Sequence, residues 1–154
     1  MRRVETSVHI SAEPARVWAV LTDFADYPQW SPTLRRISGT PAEHARLAVT
    51  VAGPGGREWT IRPVVLAAEP RHVLRWRARL LMPGVLTGVH EFVLTPEGDG
   101  TRVVHADSFS GVAVPALGRF LTRNASGMRD QNSALKARAE ATSQSDRIIQ
   151  KDSR

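Results

Sequence analysis

The chain has no cysteine, which excludes a disulfide framework, a thiolate nucleophile and a cysteine-held zinc. Lysine is nearly missing too: it occurs only at positions 136 and 151, so the formal net charge of +6 rests on arginine. No apolar run has the length a bilayer demands; the longest, LLMPGVL, is broken by Pro83 and Gly84. The opening MRRVETSVHI carries charge without the apolar stretch of a secretory leader behind it. Nor do the arginines gather into a run with interleaved aromatics; the nearest thing to a patch is the alternation Arg75, Arg77, Arg79. These absences lead us to expect a cytoplasmic protein with no integral membrane contact, no nucleic-acid partner and no cofactor.

What is present suffices for one domain. A chain of 154 residues buries a real core without cross-links. Val4, Thr6, Val8 and Ile10 alternate with Glu5, Ser7 and His9, the period of a half-buried strand. Pro14 opens a helical stretch with Val17, Trp18 and Leu21 on one face, and FADY forms a second short turn before Pro28 and Trp30. Between residues 34 and 111 the punctuation is of turns: Ser38-Gly39, Gly53-Pro54-Gly55-Gly56, Pro83-Gly84 and Gly98-Asp99-Gly100. Strands joined largely by hairpins follow. GPGG lacks the lysine and hydroxyl residue of a phosphate loop and reads as a turn.

After Val114-Pro115, Leu117, Leu121, Met128, Leu135 and Ala139 recur at helical spacing, predicting a long helix that ends around Glu140. Asn124 and Gln131 fall near its apolar stripe, as edge positions or as polar groups facing a cavity. The expected domain covers residues 1–141, and the polar stretch 142–154 reads as a disordered tail.

The segments SAEPARVWAVLTDFADYPQWSP, EPRHVLRW, GVHEFVLTPEGDGTRVVHADSFSG and QNSALKARAE resemble the START-type helix-grip superfamily, in its polyketide cyclase/dehydrase and lipid-transfer-like branch. That resemblance implies an α+β helix-grip fold: a curved antiparallel sheet of about seven strands wrapped around a long C-terminal helix, with two short helices after the first strand. It also implies a cavity between sheet and helix for a lipid-like, aromatic or polyketide-like molecule. Some members are enzymes and others only carriers, and no catalytic motif of the family maps onto this sequence.

The residues add a polar cluster. On HEFVL, His90, Phe92 and Leu94 share a face; on RVVHADSFS, Val103, His105, Asp107 and Phe109 do. A turn centred between Gly98 and Asp99 sets His90 opposite Asp107, whereas a two-residue slip sets it opposite His105. The two histidines and the aspartate therefore meet in an apolar wall, as a structural network, as ligand-orienting groups, or as His/Asp acid–base machinery in an enzyme of the cyclase/dehydrase kind. A two-histidine, one-carboxylate metal site has no further ligand to support it, and no metal is expected. The ligand-binding set read from the sequence is Trp76, His90, Phe92, His105, Asp107, Phe109, Met128 and Gln131; His105, Asp107 and His90 are the catalytic set if the protein is an enzyme. LLMPGVLTG, apolar and joining two strands, is the expected portal.

Overall fold

The computed structural model describes residues 1–152. Strand β1 (Arg2–Ile10) is followed by α1 (Pro14–Thr22), a 3-10 turn at Phe24–Asp26 and α2 (Tyr27–Trp30). Pro14 stands in the first turn of α1, where its missing N–H costs nothing and its fixed φ suits the helix. Then come β2 (Leu34–Ser38), β3 (Ala48–Ala52), β4 (Glu58–Ile61), β5 (Val64–Glu69), β6 (Val73–Arg79), β7 (Thr87–Glu97) and β8 (Gly100–Ser110), and finally α3 (Gly118–Asp152).

Among the described residues the strands number eight, in line with the about seven expected, and they divide into two antiparallel sheets, β1-β8-β7-β6-β5 and β2-β3-β4. The physical cause is Arg62-Pro63 between β4 and β5. Proline has no N–H for a ladder, so the run cannot continue straight through. The break is bridged rather than open: Val65 N–H donates to Ala45, Leu47 N–H to Pro63 and His44 N–H to Val65. The two sheets thus form one curved wall.

The β7–β8 ladder is the longest in the molecule, running from Thr87↔Ser110 to Glu97↔Gly100. Its two-residue turn places Gly98 at φ 60° in the first loop position, where the tight hairpin turns need glycine. The period of two then does the sorting. Phe92, Leu94, Val103 and His105 are buried on the inner face, and Leu74, Trp76 and Ala78 of β6 continue it. On the outer face Glu91 is covered by Arg75 and Arg3, the latter at 3.2 Å.

Helix α3 closes the concave side. Its buried residues are Met128, Gln131, Asn132, Leu135 and Ala139. Leu135 and Ala139 belong to the main core, which includes Ile10, Val17, Leu21, Phe24 and Tyr27, and the helix packs on β1, α1 and α2. Two expectations change here. Leu117 precedes the helix instead of opening it, and the helix runs past Glu140 to Asp152. The described side chains from Ala141 onward are exposed. That extension therefore draws on helix propensity, with no apolar stripe left to bury.

Candidate functional site

The hairpin register is the one set by a turn centred on Gly98-Asp99: His90 lies opposite Asp107 and Phe92 opposite His105. His90 Nδ1–H donates to Asp107 Oδ1 at 2.6 Å. The other carboxylate oxygen, Oδ2, accepts from Asn124 Nδ2 of α3 at 2.7 Å. Both oxygens of a largely buried carboxylate are therefore satisfied, as burial in an apolar wall requires. Burial would push the Asp107 carboxyl up; the His90 ring, then His105 and the Asn124 hydrogen bond, outweigh it and hold the group below the usual carboxylate range.

His105 has a different partner. Its Nδ1–H donates to Asn132 Oδ1 at 2.9 Å, one turn of α3 beyond Met128. The ring is 1% exposed. Burial first, then the neighbouring His90, drives its pKa down to about 3, against the weaker opposing pull of Asp107, Asn132 and the Met128 backbone. The ring is consequently neutral at every physiological pH.

The rings form a stack of mixed character. Trp76 lies flat on His90 at 4.7 Å between centroids and 18° between planes. His90 meets the edges of Phe92 at 4.9 Å and His105 at 4.7 Å. Phe92 and His105 are 4.3 Å apart. Cross-strand pairing explains this: Trp76 is opposite His90 on β6 and β7, and Phe92 is opposite His105 on β7 and β8.

Of the eight residues read from the sequence, Trp76, His90, Phe92, His105 and Asp107 come together in this stack. Met128 adjoins it, its sulfur 3.5 Å from Asn124 Nδ2. Gln131 sits elsewhere: its Oε1 accepts from Ser31 Oγ at 2.8 Å and Thr33 Oγ1 at 2.7 Å, tying α3 to the segment after α2. Phe109 belongs to a second, smaller cluster with Leu86 and Val114, against which Leu80, Leu117 and Leu121 pack. Asn132 is the site residue absent from the sequence reading, although its place was marked. Met128, Asn132, Leu135 and Ala139 are spaced 4, 3 and 4 apart, one continuous helical stripe.

Trp76, Phe92 and His105 are 2% exposed or less. Two depressions of about 300 and 330 Å³ are lined by Glu13, Pro14, Ala15, Arg71 and Pro96 and by Ser38, Gly39, Arg46, Leu47, Ala48 and Arg62. Neither includes a residue of the stack. The His90 and Asp107 side chains nevertheless keep 14% and 13% of their surface open. The first turns of α3, which carry Asn124, are only partly covered. Beyond them lies an apolar rim: Leu81, Met82 and Val112 are more than half exposed and Phe120 is 39% exposed. The rim's two loops are stitched together, Val112 N–H to Gly84 and Ala113 N–H to Val85. Gly111, at φ 121°, allows the close approach, since a Cβ there would stand 2.3 Å from Val85 O.

As a cation site the cluster offers at most three ligands among the described residues: His90, His105 and Asp107 hold ligand atoms within 4.8 Å of one another. Both Nδ1 atoms are given to Asp107 and Asn132, which leaves the two Nε2 atoms and the remaining lone pairs of the Asp107 oxygens. As a hydrogen-bonding site it is well set. The Nε2 atoms of His90 and His105 are buried without a protein partner, and a histidine whose Nδ1–H is held by a carboxylate is an oriented base.

The family model described as "Polyketide cyclase / dehydrase and lipid transport" matches residues 1–140. No curated protein matches the chain. Among solved structures, a protein of Rhodobacter sphaeroides is 24% identical with a TM-score of 0.73, over 91% of this chain and 93% of that one. A protein of Mesorhizobium loti is 25% identical with a TM-score of 0.71, over 88% and 95%. The di-domain ARO/CYC StfQ from the steffimycin biosynthetic pathway is 16% identical with a TM-score of 0.73; the match takes in 92% of this chain and only 51% of that one.

Proposed function

The chain belongs to the polyketide cyclase/dehydrase and lipid transport family, and on that premise we propose that it holds a hydrophobic molecule, lipid-like, aromatic or polyketide-like, between the sheet and α3. Trp76, Phe92, Phe109 and Met128 supply apolar contact, and His90, His105 and Asp107 orient the polar end. The observation that carries the reading is the His90–Asp107 pair: a hydrogen-bonded couple set in an apolar wall, with the outer nitrogen of the ring bare and both side chains still slightly exposed. Pockets for apolar ligands use a few such placed groups. Access runs between the first turns of α3 and the Leu81–Val112 rim, because the middle of the helix, from Met128 to Ala139, carries its buried stripe. This reading places the protein in the cytoplasm.

The test is native mass spectrometry of freshly purified protein against its denatured mass. An excess mass of small-organic size, lost in Trp76→Ala, supports the reading. A protein of its own mass, whose interior NMR signals stay fixed on addition of fatty acid, sterol and polyaromatic probes, overturns it.

A second reading, an enzyme, is favoured by one detail. Asp107 fixes His90 with Nδ1–H inward, so Nε2 can take a proton from an acidic C–H or O–H of the bound molecule and return it, as ring closure or dehydration requires. The base in this reading is His90; His105, held by Asn132 and kept neutral, is its neighbour. With a bound substrate identified by mass, Asp107→Asn should abolish turnover and leave affinity nearly intact. Loss of affinity with no reaction to lose marks a carrier.

A further inference from the structure

The charges of the large sheet are divided along its strands. At one end lie the β5–β6 and β7–β8 turns, where Glu69, Glu97 and Asp99 stand exposed beside Arg71 and Arg102. At the other end, where Arg79 pairs with Thr87 and Thr87 with Ser110, lie the loops 80–86 and 111–117 and the first turns of α3. Residues 73–90 and 108–129, which build that end, contain no acidic side chain. They do contain Arg77 and Arg79 on β6 and Arg119 and Arg123 one turn apart on α3, all four exposed. Elsewhere arginines find carboxylates, as Arg3 and Arg75 do on Glu91 and Arg138 on Asp26. The N-terminus of α3 at Gly118 adds the positive end of a helix dipole to the same place. Next to these charges in the chain stand the exposed side chains of the rim, Leu81 and Met82 after Arg79 and Phe120 after Arg119. The rim is preformed: Leu86, Phe109 and Val114 pack beneath it, and hydrogen bonds from Val112 and Ala113 tie its two loops.

From this arrangement we infer that the rim docks on the surface of a bilayer containing anionic lipid, with Leu81, Met82, Val112 and Phe120 entering the headgroup layer and Arg79, Arg119 and Arg123 on the phosphates around them. Exposed apolar side chains edged by cations match a layer that is apolar inside and negative outside. The cations are arginines, whose planar fork takes two phosphate oxygens at once. A second copy of the chain fits poorly, since it would set arginines against arginines. Nucleic acid answers the charge and leaves Leu81 and Met82 in water. The contact is peripheral, because among the described residues no helix is long and apolar enough to cross a membrane. Docked in this way, the protein turns the partly covered start of α3 toward the lipid.

The test is flotation of the full chain with vesicles of phosphatidylcholine alone and of phosphatidylcholine carrying a quarter phosphatidylserine. The expected result is binding to the second kind only, weakening as salt is raised. Arg119→Gln with Arg123→Gln removes charge without removing buried surface and should lower that binding on the order of tenfold, and Leu81→Ser with Met82→Ser should lower it as well. Because the chain has no cysteine, Met82→Cys and Asp99→Cys can each carry a single environment-sensitive dye. The dye at position 82 should shift to the blue on the anionic vesicles, and the one at position 99, at the far end of the strands, should not. Binding to neither vesicle, or equally to both, overturns the inference. So do equal shifts at the two positions, which mark adsorption by net charge alone, and a dye at position 82 that shifts with protein concentration without vesicles, which marks a second copy on the rim. None of these readouts depends on what the interior holds, so failure of the small-molecule reading leaves the docking surface standing, and failure here leaves that reading untouched.

Discussion

Helix α3 meets two kinds of neighbour along its length. At its middle, Leu135 and Ala139 are fully buried against β1, α1 and α2, and polar ties such as Gln131 to Ser31 and Lys136 to the His9 carbonyl, at 2.8 Å, lock it in place. At its start, Leu121 is only half-buried over Phe109 and Leu86, and Phe120 leans edge-on against Phe109 at 5.5 Å. One region holds the domain together and the other is only half-covered. The His90–Asp107–Asn124 chain sits on the seam, tied to the helix by a single side chain from the looser side. Local stability is uneven in this way wherever a scaffold must be rigid and an access route must open.

The largest test of that contrast is a pair of truncations. Leu135→Ala removes a fully buried side chain from the main core and should cost about 2–5 kcal/mol in urea denaturation. Leu121→Ala, in the smaller cluster, should cost under about 1 kcal/mol. Equal costs would mean that the start of α3 is as firmly packed as its middle, and that access must be sought elsewhere.

Next comes pH. His105 belongs to the firm side through Asn132. Its folded pKa, about 3, lies below the ordinary histidine value of 6.5. The sign follows from proton counting: below pH 6.5 the unfolded chain gains a proton that the folded chain refuses, so stability is complete above 6.5 and falls as pH drops toward 3. The slope approaches about 1.4 kcal/mol per pH unit. Over two units that is about 2–3 kcal/mol, read as urea midpoints between pH 7 and pH 4.5. His105→Phe should flatten the profile; a profile unchanged by it would remove His105 as the cause.

A smaller effect is expected at the seam. Asn124→Ala leaves Asp107 with His90 alone and should cost about 1 kcal/mol. It should also raise the Asp107 carboxyl, because one of the interactions holding it down is gone. Carboxyl 13C titration of wild type and variant measures the direction. No movement would show that the helix does not grip the pair.

How far this was legible beforehand follows from the interactions concerned. The hairpin register was readable because Gly98-Asp99 fixes the turn and the period of two fixes the faces; only the choice between two registers needed coordinates. The division of the sheet was marked by Arg62-Pro63, but a proline between short strands reads equally as one more turn. The partners of the histidines were hidden for a different reason. His90 and His105 share a strand face with Asp107, yet the partner of His105 is Asn132, 27 residues on, in an element whose rotation over the sheet no local pattern specifies. The long helix was recognisable by its stripe, and its run to Asp152 was not, since residues beyond Ala139 carry no buried pattern to extend. The packing of Trp76 and Phe92 against the rings depends on side-chain volumes meeting in three dimensions.

The smallest expected change separates stability from access most sharply. Met82 is 75% exposed and Leu81 57% exposed in the loop between β6 and β7, so serine at both positions removes little buried surface and should leave the urea midpoint within about 0.5 kcal/mol of wild type. The rim they form is joined to the loop before α3 through Gly84, Val85, Val112 and Ala113. If molecules reach the seam past this rim, its apolar surface collects them first, and the double serine variant should bind a hydrophobic probe more slowly at nearly unchanged affinity and stability. Stopped-flow Trp fluorescence reads the association rate directly. An unchanged rate in the double variant, together with a faster one in Leu121→Ala, would place the opening at the helix itself and leave the loops as a fixed edge.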